Sequence, residues 1–119
     1  MKAQGKEGLH HMDIVEAARA LDALGHESRL ATFRTLVQAG PAGLAASRIA
    51  ETVGISPSSL TFHLKELALA NLVTSRQEGR FVIYAAQFEK MNSLLGFLTE
   101  NCCGGNPCTP AATACKTAI

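Results

Sequence analysis

Thiols are the side chains in this sequence whose grouping most clearly predicts chemistry. All four cysteines lie near the C-terminal end, as Cys102, Cys103, Cys108 and Cys115. A set confined to one end of a chain does not cross-link a fold, so it does not indicate a disulfide scaffold. In a reducing compartment, clustered thiols more often bind a metal or undergo redox chemistry.

Three of these thiols can meet if the chain turns directly after a helix. Adjacent helical residues point about 100° apart, so Cys102 and Cys103 cannot converge while both are helical. A helix that ends at Cys103, followed by Gly104-Gly105 with positive φ, brings Cys108 back toward the pair. Three thiolates without a nearby histidine or carboxylate form a soft three-coordinate site, which fits As(III) or Sb(III) best.

Other interpretations of the thiols remain open. With Cys115 as a fourth ligand, the set suits structural Zn²⁺ or a Cd²⁺ or Pb²⁺ sensor, although the paired Cys-x-x-Cys knuckles typical of zinc are absent. Oxidation of Cys102, Cys103 or Cys108 would instead make a redox switch, and tail thiols without a role are a further interpretation. A thiol enzyme is not indicated, since no Cys-x-x-Cys or partnering histidine and acid accompanies them. No organic cofactor is expected.

The stretch from Ile55 to Leu72 predicts a helix with a polar front. Ser56 fits the N-cap and Pro57 the first helical position. A short helix predicted over Leu44–Val53, closed by Gly54, precedes it, and together they form a helix-turn-helix pattern. The predicted inner side consists of Leu60, Leu64, Leu67, Ala68 and Asn71. The other sides carry short hydroxyls and a cation, which suit phosphates and base edges: Ser58, Ser59, Thr61, Phe62, Lys65 and Glu66.

Two β-rich runs, Leu72–Arg76 and Arg80–Ala85, follow this helix and are joined by the link 77–79. They predict a β-hairpin. A hairpin directly after a helix-turn-helix is a wing, whose tip is placed to touch the sugar-phosphate backbone or the minor groove. Arg76 and Arg80 bracket the predicted tip, so both are expected to contact the DNA backbone.

Apolar residues at helical spacing predict three more helices, over Asp13–Leu24, Glu27–Ala39 and Phe88–Glu100. The last helix carries more apolar surface than a small domain needs, and with the first helix it predicts a dimer interface. The predicted fold class is mainly α with a β-hairpin wing: a homodimeric winged helix-turn-helix in the order α-α-α-α-β-β-α. Residues 1–12 are predicted to be a disordered leader, 13–101 the DNA-binding and dimerisation domain, and 102–119 a metalloid-binding tail.

Length and composition agree with one cytoplasmic domain. The 119 residues, 47% of them hydrophobic, suffice for a single core. No apolar run approaches the ~20 residues of a membrane span and no signal peptide is visible, so no membrane partner is expected. Because the net charge is only +1, binding to DNA must depend on where individual cations are placed.

The element order and three motifs resemble the ArsR/SmtB family of metal-responsive winged-helix repressors. The motifs are Ala23-Leu24-Gly25-His26-Glu27-Ser28-Arg29-Leu30, the helix from Ser56 to Leu67 with its His63-Leu64-Lys65-x-Leu67 end, and Leu72-Val73-x-Ser75-Arg76-x-Glu78-Gly79-Arg80-x-Val82-x-Tyr84. The resemblance implies a homodimer that represses operator DNA in its apo state and releases it when an inducer ion binds. The operator is expected to be an imperfect palindrome with half-sites about one helical turn apart. The candidate DNA-contacting residues are Ser56, Ser58, Ser59, Thr61, Phe62, His63, Lys65, Arg76 and Arg80.

The family's common inducer sites have no counterpart in this sequence. The run from Gly43 to Ile49 contains no cysteine where such proteins carry Cys-x-Cys, and no histidine follows Gln87 on the last helix. An arsenic-responsive subset of the family resembles this chain, with a Cys-Cys pair and a nearby third cysteine after the last helix. The resemblance therefore favours As(III) or Sb(III) as inducer, bound by Cys102, Cys103 and Cys108.

Overall fold

The computed structural model describes residues 12–105. In chain order the elements are α1 (Ile14–Leu24), α2 (Glu27–Ala39), β1 (Leu44–Ala45), α3 (Ala46–Val53), α4 (Pro57–Leu69), β2 (Val73–Glu78), β3 (Phe81–Ala86) and α5 (Phe88–Thr99). A four-residue 3₁₀ turn, Cys102–Gly105, follows α5. The predicted winged helix-turn-helix is confirmed, with the short strand β1 as an addition. The predicted leader, apart from Met12, and the tail beyond Gly105 lie outside the described residues.

Strand β1 corrects the helix that was predicted to begin at Leu44. Leu44 pairs with Tyr84 and Ala45 with Ile83, so the helix α3 begins only at Ala46. Gly43 has φ +72°, and a Cβ atom at this position would lie 2.3 Å from the Tyr84 carbonyl oxygen. Only glycine permits two backbones to approach so closely. This approach lets β1, which leads into α3, pair with β3 of the hairpin.

The hairpin is longer and its turn tighter than the sequence predicts. The strands β2 and β3 pair antiparallel from Val73 and Ala86 out to Glu78 and Phe81, and the three strands lie in the order β1-β3-β2. The turn therefore consists of two residues, Gly79 and Arg80. Gly79 has φ +63°, a conformation that short hairpin turns demand and glycine adopts without strain.

The core is aliphatic and lies between the helices and the base of the sheet. On α1 the inward residues are small, namely Ala17, Ala20 and Ala23, whereas the larger Ile14 and Leu21 are exposed. The most completely buried large side chains are Met12, Leu36, Ile49, Leu60, Leu67 and Leu72. Within residues 12–105 no helix is both long and apolar enough to cross a membrane.

Candidate nucleic-acid interface

The first turn of α4 presents a compact group of hydroxyls at the helix N-terminus. The Ser56 hydroxyl caps the helix by accepting a hydrogen bond from the Ser59 amide at 3.2 Å. The same hydroxyl lies 3.3 Å from the Ser58 hydroxyl and donates to the Ser59 hydroxyl at 3.1 Å. Pro57 occupies the first helical position, as predicted. The exposed amide ends of a helix attract anions, so this end of α4 is suited to a phosphate.

The outward face of α4 continues from this hydroxyl group toward the C-terminus. Ser58, Thr61 and Lys65 follow one another at spacings of three and four residues, which places them on one face, and all three are exposed. Thr61 donates its hydroxyl hydrogen to the Pro57 carbonyl oxygen at 2.9 Å, which leaves its oxygen lone pairs available. Phe62 stands beside them with 53% of its surface exposed. This face offers donors, acceptors, a cation and an apolar ring.

His63, which was predicted among the DNA-contacting residues, faces inward. It is only 7% exposed and lies on the buried stripe with Leu60, Leu64 and Leu67. The signal was present in the sequence, because positions 60, 63, 64 and 67 follow one helical stripe. In contrast, Ala68 and Asn71, which were predicted on the inner side, are exposed.

Arg29 of α2 joins this histidine to the outer face of α4, a role that was not predicted from the sequence. Its Nε atom donates to Nδ1 of His63 at 3.4 Å, and its guanidinium carbon lies 5.6 Å from the centre of the Phe62 ring. The His26 ring is 4.8 Å from the His63 ring. The pKa of His63 is below its usual value. Burial is the largest cause, followed by the positive charges of Arg29 and His26. A neutral His63 accepts the Arg29 hydrogen bond, and the same Arg29 side chain lies over the Phe62 ring.

The wing places its two arginines differently from the sequence prediction. Arg80 lies in the two-residue turn and is exposed. Arg76 is not at the tip, because it pairs with Ile83 within the hairpin. Its Nη2 donates to the Ala42 carbonyl oxygen at 2.8 Å, and its Nε donates to the Glu78 carboxylate at 2.6 Å. Arg76 therefore ties the wing to the loop before β1, while Arg80 is the cation at the tip.

Two of the four cysteines, Cys102 and Cys103, directly follow α5 in the chain. The helix ends at Thr99 rather than at Cys103, and the 3₁₀ turn contains the half-buried Cys102 and the backbone of Cys103. Gly104 has φ +68°, the positive value that the sequence analysis expected. Cys108 and Cys115 lie outside the described residues. Within 12–105, no three His, Cys, Asp or Glu side chains are grouped to hold a metal ion, so the three-thiolate site stays a prediction.

The helices α1 and α5 lie side by side and expose apolar side chains. The Lys90 ammonium of α5 and the Glu16 carboxylate of α1 form a partly buried ion pair. Both helices also carry large apolar side chains with 43–69% of their surface exposed: Ile14, Val15, Leu21, Leu95 and Leu98. Each of the two helices predicted to form a dimer therefore exposes large apolar side chains.

An exposed helix at the second position of a helix-turn-helix, next to a projecting hairpin, defines the class of winged helix-turn-helix DNA-binding proteins. Comparison with known proteins agrees. A family model described as a helix-turn-helix domain matches residues 24–76. Nodulation protein NolR of Rhizobium meliloti is 31% identical over 90 residues, which cover 76% of this chain and 71% of that protein.

Solved structures show the same likeness. An ArsR-like transcriptional regulator from Rhodococcus sp. RHA1 superposes with a TM-score of 0.65 at 26% identity, covering 87% of this chain and 88% of the other. Reduced HlyU from Vibrio cholerae has a TM-score of 0.55 at 26% identity, covering 75% of this chain and 90% of that one. The chain belongs to the ArsR-type family of winged-helix transcriptional regulators, whose members bind DNA and are not enzymes.

Proposed function

We propose that this protein is a transcriptional repressor that binds an operator as an apo homodimer and releases it when As(III) or Sb(III) binds Cys102, Cys103 and Cys108. The observation that carries the proposal is that two of the thiols directly follow α5, the helix whose exposed leucines suit a dimer contact. A ligand bound there acts close to the surface that would set the spacing of the two α4 helices. The protein would act in the cytoplasm, and its binding partner would be operator DNA.

The homodimer is proposed to form through α1 and α5. A two-fold interface brings the same patch of both subunits together. The five exposed apolar side chains of these helices would therefore be buried in each of the two subunits. Full burial of one such side chain is worth about 1.5–3 kcal/mol. The two α4 helices would then face one side of the dimer and enter successive major grooves, with half-sites about one helical turn apart.

On the DNA, the hydroxyls of Ser58, Ser59 and Thr61 and the ammonium of Lys65 are proposed to contact phosphates and base edges in the major groove. Phe62 would contact a thymine methyl group, held in place by Arg29. Arg80 would bind the backbone from the wing. Ser56, Arg76 and His63 are proposed to act mainly as supports, because their side chains are engaged in the helix cap, the hairpin anchor and the core.

Binding of the inducer is proposed to reorganise the 3₁₀ turn. The turn would have to bring Cys102 and Cys103 to one ion together with Cys108, which follows it in the chain. Arsenous acid, As(OH)₃, would exchange its three hydroxyl groups for three cysteine sulfurs and release three water molecules, with no change of oxidation state. If the reorganised form disfavours the DNA-binding spacing, typical coupling energies of about 1–3 kcal/mol weaken operator binding roughly 5–150-fold.

Thiol oxidation is the second candidate input. One solved structure of HlyU, a structural relative, is of its reduced form, which makes a redox input a candidate for this chain as well. In the present chain the only thiols are the four after α5, and they would serve as the oxidisable groups. A Cd²⁺, Pb²⁺ or Zn²⁺ sensor with Cys115 as fourth ligand is the corresponding metal alternative.

The experiment that tests the inducer is operator release measured by fluorescence anisotropy. The reduced protein first selects its operator from a random DNA library, and arsenite is then titrated under anaerobic conditions. We expect arsenite to release the DNA from the wild type and from Cys115→Ser, but not from the Cys102→Ser, Cys103→Ser double variant. Release by that double variant would refute the site, whereas release by an oxidant without arsenite would favour the redox input.

The same assay without arsenite tests the DNA interface. Lys65→Ala should weaken operator binding and reduce the slope of log affinity against log salt by about 0.9, the value for one phosphate contact. Arg34→Ala on α2 is the matched control, since this exposed cation lies neither on α4 nor on the two proposed dimer helices. If the two variants give equal slopes of log affinity against log salt, Lys65 does not contact a phosphate. If the protein selects no DNA from the library at low salt, the proposed repressor function is refuted.

A further inference from the structure

A second candidate binding site lies away from both the DNA helix and the thiols. An apolar groove of about 300 Å³ opens between α2 and α5, near the end of α1. Its walls are aliphatic and aromatic side chains, and two polar residues of α2 stand at its rim. The lining is formed by Leu24, Leu30, Phe33, Val37, Leu72, Met91, Leu94 and Leu95, with Arg34 and Gln38 at the rim.

The two polar side chains of the rim make one end of this otherwise apolar groove suited to a charged group. Arg34 and Gln38 are four residues apart on α2, so their side chains lie one above the other. Both are exposed, and within residues 12–105 neither side chain takes part in a hydrogen bond or an ion pair. A guanidinium next to an amide is suited to a carboxylate, because both present N–H donors in a plane. The mouth therefore favours an anionic head group above an apolar body.

The volume limits the size of that body. If each non-hydrogen atom takes the ~30 Å³ of a water molecule, a groove of 300 Å³ accommodates roughly ten atoms. This volume is at the lower end of the range of ligand pockets, which is about 300–1,000 Å³. Met91 and Phe33 in the wall add a flexible thioether and an aromatic face, which adapt to either a chain or a ring.

We propose that this groove binds a monocarboxylic acid with an apolar body of about ten carbon atoms, its carboxylate at Arg34 and Gln38 and its body between α2 and α5. The binding does not depend on the proposed repressor function. A regulatory effect would rest on that function: α2 packs against α4, and Leu95 of the groove wall is also part of the exposed α5 surface. A ligand there would contact both the support of the recognition helix and the proposed dimer helix.

Methyl NMR of the whole protein tests the binding without any DNA. The chain contains three methionines, and two of them lie in described positions. Met91 lines the groove, whereas Met12 is a core residue with 2% exposure that is not part of the lining. With ¹³C-methyl methionine labelling, we expect decanoate and 2-naphthoate to shift the Met91 signal to saturation and to leave the Met12 signal nearly unchanged. The acid that binds with the higher affinity shows whether the groove prefers an extended chain or an aromatic ring.

Two matched variants test the role of the rim charge. Arg34→Gln should weaken binding of either acid about tenfold, as expected for losing one charge-assisted hydrogen bond, whereas Arg19→Gln on α1 should leave it unchanged within about twofold. Decan-1-ol, which has no charge, should bind wild type and Arg34→Gln alike. Equal carboxylate affinities for Arg34→Gln and wild type would overturn the assignment.

Occupation by a second copy of the chain gives a different result. In that case the Met91 signal would depend on protein concentration and would not respond to either acid, which would also overturn the proposal. Operator binding is measured separately, with and without the better acid. Loss of the ligand response in the NMR experiment refutes the groove, whereas failure to bind DNA refutes only the proposed repressor function, so the two failures are distinguishable.

Discussion

The burial of His63 predicts a stability that depends on pH. In the folded chain this imidazole is 7% exposed and accepts the Nε hydrogen of Arg29, with His26 as a second basic neighbour. Burial is the largest cause that lowers its pKa below the usual value of 6.5, followed by the charges of Arg29 and His26. A proton on His63 would break the hydrogen bond and place a buried cation beside the partly buried guanidinium of Arg29.

The direction of the effect follows from proton linkage. The unfolded chain takes up the proton near pH 6.5, whereas the folded chain takes it up only at lower pH. Between these two pKa values the unfolded state binds more protons, so the free energy of unfolding decreases as the pH falls. One proton sets the limiting slope, about 1.4 kcal/mol per pH unit. Below the folded pKa of His63 this contribution no longer changes.

Urea unfolding followed by circular dichroism at fixed protein concentration measures this slope. From about pH 7.5 to about pH 5.5, the difference between wild type and His63→Gln should decrease as the pH falls, because only the wild type has the buried imidazole to protonate. His26→Gln is the control. It should keep most of the wild-type slope, since burial of His63 is unchanged. A flat difference curve, or one that rises toward acid pH, would refute the reasoning.

Three further predictions concern the helix cap, the dimer and the wing. Ser56→Ala should lower the free energy of unfolding by about 1 kcal/mol because the Ser59 amide loses its acceptor, while Ser58→Ala should change it little; equal losses in urea titrations would contradict the cap. Leu98→Glu should shift the protein from dimer to monomer in sedimentation velocity, because it puts a charge into the exposed α5 surface, and a dimer that persists would exclude α5 from the interface. Arg76→Gln should raise hydrogen-exchange rates in β2 and β3 with little effect on α1, since it breaks the bond to the Ala42 carbonyl; unchanged exchange would mean that this anchor does not hold the wing.

Local sequence signals predicted the helices well because their causes are local. The cap at Ser56, the proline after it and the glycine at position 54 lie within four residues and determine where α4 begins. The apolar spacing along α5 likewise identified the helix, and the structure shows its outer leucines exposed. These features needed no knowledge of the rest of the fold.

Features that depend on distant partners could not be predicted in the same way. Leu44 and Ala45 form a strand only because Tyr84 and Ile83 lie beside them, and those partners are about forty positions away in the chain. Arg76 was expected at the wing tip, but its position depends on the hairpin register and on the carbonyl of Ala42. A periodic pattern predicts the face of the helix or strand on which a residue lies, but it does not predict which distant group the residue contacts.

His63 is a case in which the local signal existed and was outweighed. Its helical spacing placed it with three leucines, yet it was predicted to contact DNA because it is part of the motif that resembles the family's DNA-binding helix. The structure resolves this conflict through Arg29, a residue of a different helix that provides the hydrogen-bond partner a buried imidazole needs. A polar residue on an apolar stripe should therefore prompt a search for such a partner.

Arsenic-edge X-ray absorption of the reduced protein with one equivalent of arsenite tests the central claim most directly, namely that Cys102, Cys103 and Cys108 together form the inducer site. The account predicts three sulfur neighbours around arsenic in the wild type and in Cys115→Ser. In Cys108→Ser it predicts two sulfurs and one oxygen. Fewer than three sulfurs in the wild type, or three sulfurs retained in Cys108→Ser, would contradict it.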